Sequence, residues 1–537
     1  MPIGDFAARR PYNAVSDFVD ANVARGLADK RAFSDGVRHL TYGELQDKTF
    51  RLAGALDGLG LRQESRIALL LLDTIDFPVA FWGSLRAGVT CIPLNTLLTA
   101  EQYNYVLDDS RAEALIVSAP LLKTVAPILS NLPRLRSIIV SGGPATLVQS
   151  DARDLNSFDK LLEQSEAEFP TAQTISDEVA FWLYSSGSTG EPKGVKHVHS
   201  SLMATAKLYG QQVLGIAETD VVFSAAKLFF AYGLGNAMSF PMSVGATAVL
   251  LPDRPTVEAV LAVLGREQPT IFCGVPTLYA AMLANENIGK GAGSDRLRQC
   301  ISAGEALPAE LGLRWMKAVG VDILDGIGST EMLHIFLSNR RDDLRYGTSG
   351  KPVPGYDVKI VDDEGKELSP GEIGELVVRG PSAAEGYWHQ RGRSRRTFAG
   401  EWTYTGDKYL RDADGYYQYC GRTDDMFKVS GIWVSPFEVE AAMAAHEAVL
   451  EAAVIGEEDE EKLIKPKAYV VLKPGIAGDQ ALIEELKTHV KASVGLWKYP
   501  RWIEFRSELP KTATGKIQRF KLRQESTASA GASVHAA

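Results

Sequence analysis

Short apolar runs alternate with amphipathic segments along most of this chain. Apolar runs that predict buried strands lie at Arg66–Leu72, Ala114–Val117 and Ser137–Val140. Apolar residues at helical spacing predict helices at Leu45–Leu59 and Ala100–Leu107. Because strands that alternate with helices usually form parallel sheets covered on both faces, the pattern predicts an α/β fold.

The pattern changes near Thr423. The segment 347–422 is rich in Gly, Pro and Asp, which predicts strands joined by many turns. After it, a compact α+β pattern follows, with helices at Pro436–His446 and Asp479–Ser493 and strands at Val449–Gly456 and Lys467–Leu472. The segment 524–537 is rich in Ser and Ala. We therefore predict a large domain over 1–423, a small domain over 424–523 and a disordered tail over 524–537.

Composition narrows the class of protein. The chain has 537 residues, 45% of them hydrophobic, and a formal net charge of −10. This negative balance disfavours nonspecific binding to nucleic acid or to an anionic membrane surface. The cysteines are far apart in sequence, which favours reduced thiols over disulfides at Cys91, Cys273, Cys300 and Cys420.

Two segments bear on the compartment. The first thirty residues contain acidic side chains and no apolar block, so they do not resemble a signal peptide. The stretch 228–252 is uncharged, but glycines and Pro241 interrupt it. A pocket wall followed by a buried strand at 246–251 therefore fits better than a membrane span. We expect a cytoplasmic protein with no membrane partner.

The most specific motif is SSGSTGEPKG at 185–194, directly after the apolar strand Val179–Leu183. Small hydroxyl residues and glycines let backbone N–H groups and hydroxyls approach phosphate oxygens, and the lysine adds positive charge. The spacing does not match the Walker loop. A solvated Gly/Ser turn is the alternative, but the run is too specific for it. The motif predicts a phosphate-binding loop that uses Ser185, Ser186, Ser188, Thr189 and Lys193.

A second motif, DGIGSTE, occupies 325–331. Its glycines permit close approach of the backbone to a ligand, and Thr330 can donate to a phosphate. Glu331 can hold Mg²⁺ or its water ligands. Taken alone, the motif would be explained better by a β-turn before a helix capped by Ser329.

Three polar residues in the last third of the chain stand beside glycines. Asp407 in YTGD and Arg422 in GRTDD supply a carboxylate and a guanidinium that can hold ribose hydroxyls, although ordinary turns use the same residues. Lys516 lies in the turn PKTATGKI. A lysine there can reach a transferring phosphoryl group, and a solvent-exposed lysine is the plain alternative.

Together these motifs resemble the adenylate-forming superfamily, which includes acyl- and aryl-CoA synthetases, luciferases and peptide-synthetase adenylation domains. The resemblance extends from about Thr41 to Leu522. It implies a large N-terminal domain of two α/β subdomains plus a distorted β-barrel, and a small mobile α+β C-terminal domain. Many members place tyrosine where this chain has Ile327, so adenine stacking falls to Ile327 or to another side chain. The implied adenine-binding residues are Gly304, Glu305 and Ala306, and Asp325, Gly326 and Ile327 are further implied cofactor-binding residues.

The resemblance also implies roles around the phosphates and ribose. Thr330 contacts the α-phosphate, Glu331 binds Mg²⁺, and Asp407 with Arg422 binds ribose. A carboxylate attacks the α-phosphorus of ATP and releases pyrophosphate. Because charge grows on the phosphate oxygens, positioned cations and backbone donors carry most of the catalytic effect.

The second half-reaction is implied to use another face of the small domain. By the resemblance, Asp424 is the hinge and Lys516 is the catalytic lysine of adenylation. Rotation about the hinge removes Lys516 and presents Lys428, Ser430 and Gly431 to the CoA thiol. The expected substrates and cofactors are ATP, Mg²⁺ and CoA, with no tightly bound prosthetic group.

Four shorter runs resemble bacterial benzoate- and hydroxybenzoate-CoA ligases, namely KLFFAYGLGN at 227–236, SAGEALP at 302–308, EMLHIF at 331–336 and KVSGIWVSP at 428–436. The resemblance implies a flat apolar slot for a benzene ring, with a ring hydroxyl accepting from or donating to Tyr232 or His334. Plain core packing of the aromatic residues is the alternative. The implied acyl-pocket residues are Phe230, Ala231, Tyr232, Ile327, Gly328, His334 and Ile335.

The run at 12–20 looks nearer to the hydroxybenzoate members than to the benzoate members. We expect a monomeric or homodimeric ligase for 3- or 4-hydroxybenzoate or benzoate that serves aromatic acid degradation. A 4-coumarate-like, 2-aminobenzoate or medium-chain acyl-CoA ligase stays open. A long-chain ligase is disfavoured, because the aromatic residues would close a fatty-acid tunnel.

Two further alternatives are disfavoured by particular residues. An amino-acid adenylation domain usually carries an acidic residue in the acyl pocket, where this chain has Ala231 and Tyr232. A non-catalytic adenylate-binding protein would be expected to lack one of the residues Lys516, Glu331 and Asp407, all of which are present. The pair His197-x-His199 is attributed to strand alternation beside the phosphate loop, because no third metal ligand is evident.

Overall fold

The computed structural model describes residues 11–143, 154–185, 192–285, 288–423, 425–429, 432–459, 463–495, 498–511 and 517–534. Packing divides the chain into two compact units. The first unit comprises Met1–Val358 and Val378–Thr403, and the second comprises Lys359–Val377 and Tyr404–Ala537. The second unit therefore begins before the boundary predicted at 423/424. The predicted hinge, Asp424, lies outside the described residues, so a boundary of motion there stays a prediction.

In the described part of the chain, the first unit contains an eight-stranded sheet. The strands predicted at Arg66–Leu72, Ala114–Val117 and Ser137–Val140 are confirmed, and they pair parallel to one another in this sheet. At one edge, the strand Lys193–Val198 pairs antiparallel with Val179–Ser185 on one side and with Gly386–Tyr387 on the other. The strand order is Gly386–Tyr387, Lys193–Val198, Val179–Ser185, Thr90–Pro93, Arg66–Leu70, Ala114–Ser118, Ser137–Ser141 and Asp154–Ser157.

Helices connect these strands where the sequence pattern predicts them. Thr41 and Thr99 each form a capping box, in which the threonine side chain accepts from the backbone N–H of Glu44 or Gln102 and that residue's side chain accepts in return. Satisfying these end groups fixes where the two predicted helices begin. The helices of this layer are Tyr42–Gly58, Asp76–Arg86, Ala100–Asp109, Ala119–Val125, the 3₁₀ turn Ala126–Asn131 and Phe158–Gln164.

A nine-stranded sheet within the described residues forms the other half of the first unit. Its six central strands are parallel, so their carboxyl ends lie along one edge, the usual place for a ligand in α/β folds. The strand order is Lys351–Pro352, Ile335–Ser338, Ile323–Gly328, Gln299–Ser302, Ile271–Gly274, Val221–Ser224, Thr247–Val249, Arg31–Ser34 and His39–Thr41.

The helices around this sheet include several π-helical segments. The uncharged stretch 228–252 folds as short helices followed by the strand Thr247–Val249, which confirms the predicted buried strand. Across the described residues, no helix has both the length and the apolar character that a membrane crossing requires. The helical segments are Ser16–Asp20, Ala21–Ala24, His199–Thr205, Ala206–Gln211, Ala231–Leu234, Gly235–Ser239, Phe240–Val244, Val257–Glu267, Pro276–Leu283, Lys290–Gly293, Ala309–Val319 and Arg391–Thr397.

A run of strands occupies the segment 347–422, as its Gly-, Pro- and Asp-rich sequence predicts. These strands are Asp357–Val361, Gly374–Arg379, Phe398–Ala399, Trp402–Arg411 and Tyr417–Arg422. All four cysteines lie in the described residues, and each is buried and unpaired, as the prediction of reduced thiols requires.

The carboxy-terminal part of the second unit confirms the predicted α+β pattern. A sheet of Val449–Glu458, Ile464–Leu472 and Trp502–Phe505 packs with the helices Pro436–Ala444 and Gln480–Val494. A short hairpin, Phe427–Val429 and Ile432–Val434, precedes them. The last helix, Arg519–Val534, extends into the segment predicted to be a disordered tail. Its alanines have high helix propensity, which the expectation of disorder left out of account.

Candidate active site

The strand that precedes the phosphate-binding motif runs antiparallel to the strand that follows it. Ser185 pairs with Lys193 in register, so the two ends of the predicted phosphate loop face each other. Ser185 Oγ is buried and has no hydrogen-bond partner among the described residues. A buried hydroxyl without a partner is costly, and a ligand oxygen would satisfy it. The predicted phosphate contacts of Ser186, Ser188 and Thr189 lie outside the described residues.

Lys193, Glu331 and Tyr387 form a compact cluster beside this loop. Lys193 Nζ lies 2.7 Å from Glu331 Oε1 and 2.8 Å from the Tyr387 hydroxyl. The Tyr387 hydroxyl is also 2.8 Å from Glu331 Oε1. Lys193 Nζ stands 4.2 Å from the centre of the Tyr387 ring, which adds a cation–π contact. The structure thus brings together the lysine and the carboxylate that come from the two predicted phosphate-binding motifs.

Burial alone would raise the pKa of Glu331, but the charge of Lys193 and the hydrogen bonds from Lys193 and Tyr387 outweigh it and lower that pKa. Glu331 is therefore ionised at neutral pH. A carboxylate oxygen is the hard ligand that Mg²⁺ prefers, and Mg²⁺ in nucleotide sites commonly uses one or two carboxylates together with substrate phosphates. The donor chemistry at Glu331 fits the implied metal.

Tyr387 was not among the residues predicted for the site. It lies in the two-residue strand Gly386–Tyr387, which pairs with the strand Lys193–Val198 and places Tyr387 beside Lys193. Its backbone N–H donates to Ser394 Oγ at 3.0 Å, which fixes it further. The only local signal is a Gly-Tyr pair, and that pair is too common to single out.

Thr330 is tied to the same edge of the sheet through its backbone. His197 Nε2 donates to Thr330 O at 2.8 Å. Burial lowers the pKa of His197 to about 4, so this ring is neutral. His197 lies in the strand Lys193–Val198 as predicted, whereas His199 begins the next helix, so strand alternation explains only the first of the two.

The predicted adenine-binding residues lie where two parallel strands end. Ser302 pairs with Asp325, and Gly304 follows with φ +94°, a conformation that favours glycine. Glu305 and Ala306 are half-buried next to it. The strand ends therefore converge as the resemblance implies, while the contact with adenine itself stays a prediction.

The glycines at 326 and 328 make room for a neighbouring strand. A Cβ at Gly326 would lie 2.7 Å from Leu337 O, and one at Gly328 would lie 2.5 Å from His334 O. Both positions therefore accommodate the antiparallel strand Ile335–Ser338, and their contact with a ligand stays a prediction. The alternative of a turn before a capped helix is wrong, because a strand follows the motif.

Asp325→Asn is expected to remove part of the pH dependence of stability. Burial raises the pKa of Asp325 to about 8 from an ordinary value of 3.8. Between these values the folded protein keeps a proton that the unfolded chain releases, so the wild type loses stability as pH rises. The apparent melting temperature of the wild type minus that of the variant should therefore fall from pH 5 to pH 8. A constant difference, or one that grows with pH, would contradict the assignment.

An aromatic wall, which we define as Phe230, Tyr232 and His334, stands next to the Glu331 cluster. The rings of Tyr232 and His334 stack with centroids 5.7 Å apart, and Phe240 packs edge-on against His334 at 4.5 Å. Phe230 and Tyr232 are only half-buried, unlike Phe240. The predicted aryl-pocket residues Ala231, Gly328 and Ile335 lie on the same segments, and Ile335 pairs with Gly328.

Two polar atoms of the aromatic wall, the Tyr232 hydroxyl and His334 Nε2, already bind backbone carbonyls and are therefore less available to a substrate hydroxyl than the sequence suggests. The Tyr232 hydroxyl lies 3.1 Å from both Gly274 O and Ile301 O, so its proton is directed at the backbone. His334 Nε2 donates to Tyr232 O at 3.3 Å, and burial lowers the pKa of His334 to about 3. The histidine is neutral, and its buried Nδ1 has no partner among the described residues. His334 Nδ1 is therefore the better candidate acceptor for a polar substrate group.

Gly235→Ala is expected to raise the KM for the acid that the predicted acyl pocket binds by about tenfold, with little change in the KM for ATP. A Cβ there would lie 2.4 Å from His334 Cδ2 and 2.8 Å from Phe240 Cζ, which forces His334 out of position. Steady-state kinetics with each substrate varied in turn checks this. Gly265→Ala is the matched control, because its Cβ would meet nothing closer than 3.9 Å. Equal KM values in the two variants would contradict the prediction.

Asp407 and Arg422 form a pair within the second unit. They stand opposite each other in register, with Arg422 Nη1 2.9 Å from Asp407 Oδ1. Gly406 has φ +71°, and a Cβ there would lie 2.8 Å from Arg422 Nη2, so glycine makes room for the guanidinium. The predicted carboxylate and guanidinium are thus adjacent, while ribose binding stays a prediction.

Five further predicted site or hinge residues cannot be placed from the described part of the chain. Four lie outside the described residues, and of the fifth, Lys428, the side chain does; the four are Asp424, Ser430, Gly431 and Lys516.

Comparison with known proteins assigns the family. The family described as "AMP-binding enzyme" matches residues 20–388, and the "AMP-binding enzyme C-terminal domain" matches residues 438–516. The 4-hydroxybenzoate–CoA/benzoate–CoA ligase of Rhodopseudomonas palustris is 54% identical over 516 residues, which cover 96% of this chain and 94% of the relative. The benzoate–CoA ligase of Thauera aromatica is 55% identical over 514 residues, which cover 95% and 96%.

A solved structure gives the same result for the fold. The anthranilate CoA ligase AuaEII in complex with anthranoyl-AMP superposes with a TM-score of 0.91 at 45% identity, covering 99% of this chain and 100% of that chain. The predicted fold class of a large N-terminal α/β part and a small C-terminal domain is therefore confirmed. This chain belongs to the AMP-binding enzyme family.

Proposed function

We propose that this protein is an aryl-CoA ligase that joins benzoate or a 3- or 4-hydroxybenzoate to CoA. In the first step a carboxylate oxygen bonds to the α-phosphorus of ATP, and pyrophosphate leaves with the electrons of the broken P–O bond. In the second step the CoA sulfur bonds to the acyl carbon, the thiol proton is lost, and AMP leaves. Two findings support this activity. The chain belongs to the AMP-binding enzyme family, and the relatives that are 54% and 55% identical to it are named as benzoate–CoA ligases.

One observation carries the choice of an aromatic acid. The four residues Glu331–His334 connect the charged cluster to the aromatic wall, because Glu331 pairs with Lys193 and His334 stacks on Tyr232. A phosphate bound at the charged cluster and a ring bound at the aromatic wall would therefore be neighbours. Attack of an aryl carboxylate on an α-phosphate needs the two to be held close together.

Charged residues of the site serve the phosphates, whereas neutral rings serve the acyl group. When bound, Mg²⁺ supplies positive charge to the phosphate oxygens, and Glu331 is the side chain of the described residues that would hold it. Lys193 contributes a second positive charge, and its ion pair with Glu331 holds it beside the strand end that carries Ser185. The neutral rings of His334 and Phe230 exclude water and charge from the acyl side, which protects the mixed anhydride.

The family resemblance and the relatives' substrates favour a place in aromatic acid degradation. An amino-acid substrate is disfavoured, because none of Phe230, Ala231 and Tyr232 carries the acidic group that would hold an amine.

Exchange of labelled pyrophosphate into ATP, without CoA, tests the first step directly. We expect exchange that depends on benzoate or a 3- or 4-hydroxybenzoate. Exchange that depends instead on an amino acid or a fatty acid would leave the family assignment standing and overturn the aromatic wall as the acyl site.

A further inference from the structure

The loop that carries the aromatic wall is folded tightly on itself. Phe230 N donates to Lys227 O at 3.1 Å, so the chain turns back just before the wall. A Cβ at Gly233 would lie 2.0 Å from Lys227 O and 2.5 Å from Ala226 O, so only glycine permits this packing. The loop therefore behaves as one piece, and whatever holds its first residues also sets the positions of Phe230 and Tyr232.

Asp73 holds the start of this loop. Both of its carboxylate oxygens lie 3.3 Å from Leu228 N, and its side chain is buried. Burial raises the pKa of Asp73 to about 6, and the charge of Lys227 and the Leu228 N–H limit the rise. The carboxylate is therefore largely ionised at neutral pH. A buried carboxylate is retained only where its partners repay the cost of desolvation, and here the Leu228 N–H is the group that it directly binds.

Lys227 fixes the loop from the opposite direction. Its Nζ donates to Leu251 O and, at 2.6 Å, to Asp253 O, both at the end of the neighbouring strand. Its side chain is thus occupied by backbone carbonyls, and it contributes to Asp73 through its charge. The loop is held by Lys227 to its own sheet and by Asp73 to the other.

Asp73 approaches from the eight-stranded sheet, whereas the loop belongs to the nine-stranded one. Asp73 follows the strand Arg66–Leu70, and residues on both sides of it in the chain are anchored by hydrogen bonds. Leu72 N donates to Ser118 Oγ at 3.0 Å, and Ile75 N donates to Asp35 Oδ2 at 3.3 Å. Both sheets lie within the first unit, so Asp73 is a rigid link between one sheet and the wall carried by the other.

We propose that Asp73 is a positioning residue of the aryl pocket, which sets the affinity for the aromatic acid by binding Leu228 N–H and so fixing Phe230 and Tyr232. The proposal rests on the proposed function. Asp73 contacts no reacting atom, so its effect falls on the KM for the acid more than on the KM for ATP. Asp73 acts by accepting a hydrogen bond from Leu228 N–H. Asparagine at this position can still accept that bond, whereas an apolar side chain cannot.

Three variants of the full-length enzyme test this role. Asp73→Leu keeps the number and branching of the side-chain heavy atoms and removes the acceptor. Asp73→Asn keeps one acceptor oxygen. Asp220→Asn is the control. Asp220 is also buried and accepts from a backbone N–H, Ala217 N at 2.8 Å, and it pairs in addition with Arg298 at 2.7 Å. It stands at the far end of the strand Val221–Ser224 that leads to the loop.

The expected result is a KM for benzoate raised about tenfold in Asp73→Leu, with the KM for ATP within about twofold of wild type. Asp73→Asn should lie within about threefold of wild type, and Asp220→Asn should leave the KM for benzoate unchanged. A normal KM for benzoate in Asp73→Leu, or an equal rise in Asp220→Asn, would overturn the proposal, as would failure of Asp73→Asn to restore it. Should the leucine variant be recovered unfolded, Asp73→Ala provides the same comparison. A wild-type enzyme that activates no aromatic acid would refute the proposed function instead.

Discussion

Lys516→Ala is expected to lower the rate of aryl-adenylate formation by about 10³-fold, while thioester formation from supplied aryl-adenylate and CoA stays within about threefold of wild type. The prediction follows from the resemblance of PKTATGKI to the motif that carries the adenylation lysine, because Lys516 itself lies outside the described residues. A positive charge near the α-phosphate stabilises the charge that grows there during attack. The second half-reaction expels AMP from an acyl carbon and does not need that charge.

Single-turnover measurement of each half-reaction separates the two effects. Lys511→Ala is the control, since Lys511 lies five residues earlier on the same segment and pairs with Glu451 at 2.6 Å. It should leave both rates near wild type. Equal loss of both half-reactions in Lys516→Ala would sink the prediction that this lysine serves adenylation alone.

Glu331→Gln is expected to lower the overall rate by roughly 10²- to 10³-fold and to raise the Mg²⁺ concentration needed for half-maximal activity. The substitution keeps the shape of the side chain and removes the charge that binds Lys193 and the Tyr387 hydroxyl. It also removes the oxygen ligand best suited to the metal. Titration of the activity with Mg²⁺ at saturating ATP measures the effect.

Glu385→Gln is the control for this variant. Glu385 is exposed and lies two residues before Tyr387, so its substitution changes the net charge equally without touching the cluster. It should show wild-type activity and an unchanged Mg²⁺ requirement. A Glu331→Gln enzyme with a normal requirement for Mg²⁺ would show that the carboxylate only holds Lys193.

The charged part of the site was predictable because its signals are local. Lys193 and Glu331 each stand in a short motif whose composition indicates phosphate chemistry, and the structure joins them at 2.7 Å. Tyr387 was missed because it reaches the same cluster from 56 residues beyond Glu331, through a strand of two residues. Nothing in a Gly-Tyr pair announces a tertiary contact of that kind.

In the predicted aryl pocket, the sequence indicated which residues are present but not which hydrogen bonds they make. The ring character of Phe230, Tyr232 and His334 was evident, but the use of the Tyr232 hydroxyl depends on Gly274 and Ile301, which lie on strands distant in sequence. The glycines at 326 and 328 were expected to allow close approach of a ligand, and the structure shows that they also make room for the neighbouring strand. Sequence pattern predicts which residues cluster along one edge of a sheet, whereas hydrogen-bond direction is decided by neighbours that the pattern does not name.

In the fold, too, the elements with a clear sequence pattern were predicted and an element without one was missed. Strands and helices with strong periodicity were predicted within a few residues, as for Arg66–Leu70 and Gln480–Val494. The final helix, Arg519–Val534, was missed because its Ser- and Ala-rich sequence has no apolar period. Helix propensity without an amphipathic face leaves no pattern to detect.

Conversion of ATP to AMP with CoA and a panel of acids, with the acyl-CoA product identified by mass, tests the central claim most directly. The panel comprises benzoate, the three hydroxybenzoates, 2-aminobenzoate, 4-coumarate, acetate, a long-chain fatty acid and several amino acids. A high kcat/KM confined to benzoate and its 3- or 4-hydroxy forms, with the matching aryl-CoA as product, is the predicted result. A higher kcat/KM for coumarate, a fatty acid or an amino acid would contradict the assignment of Phe230, Tyr232 and His334 as the aryl site.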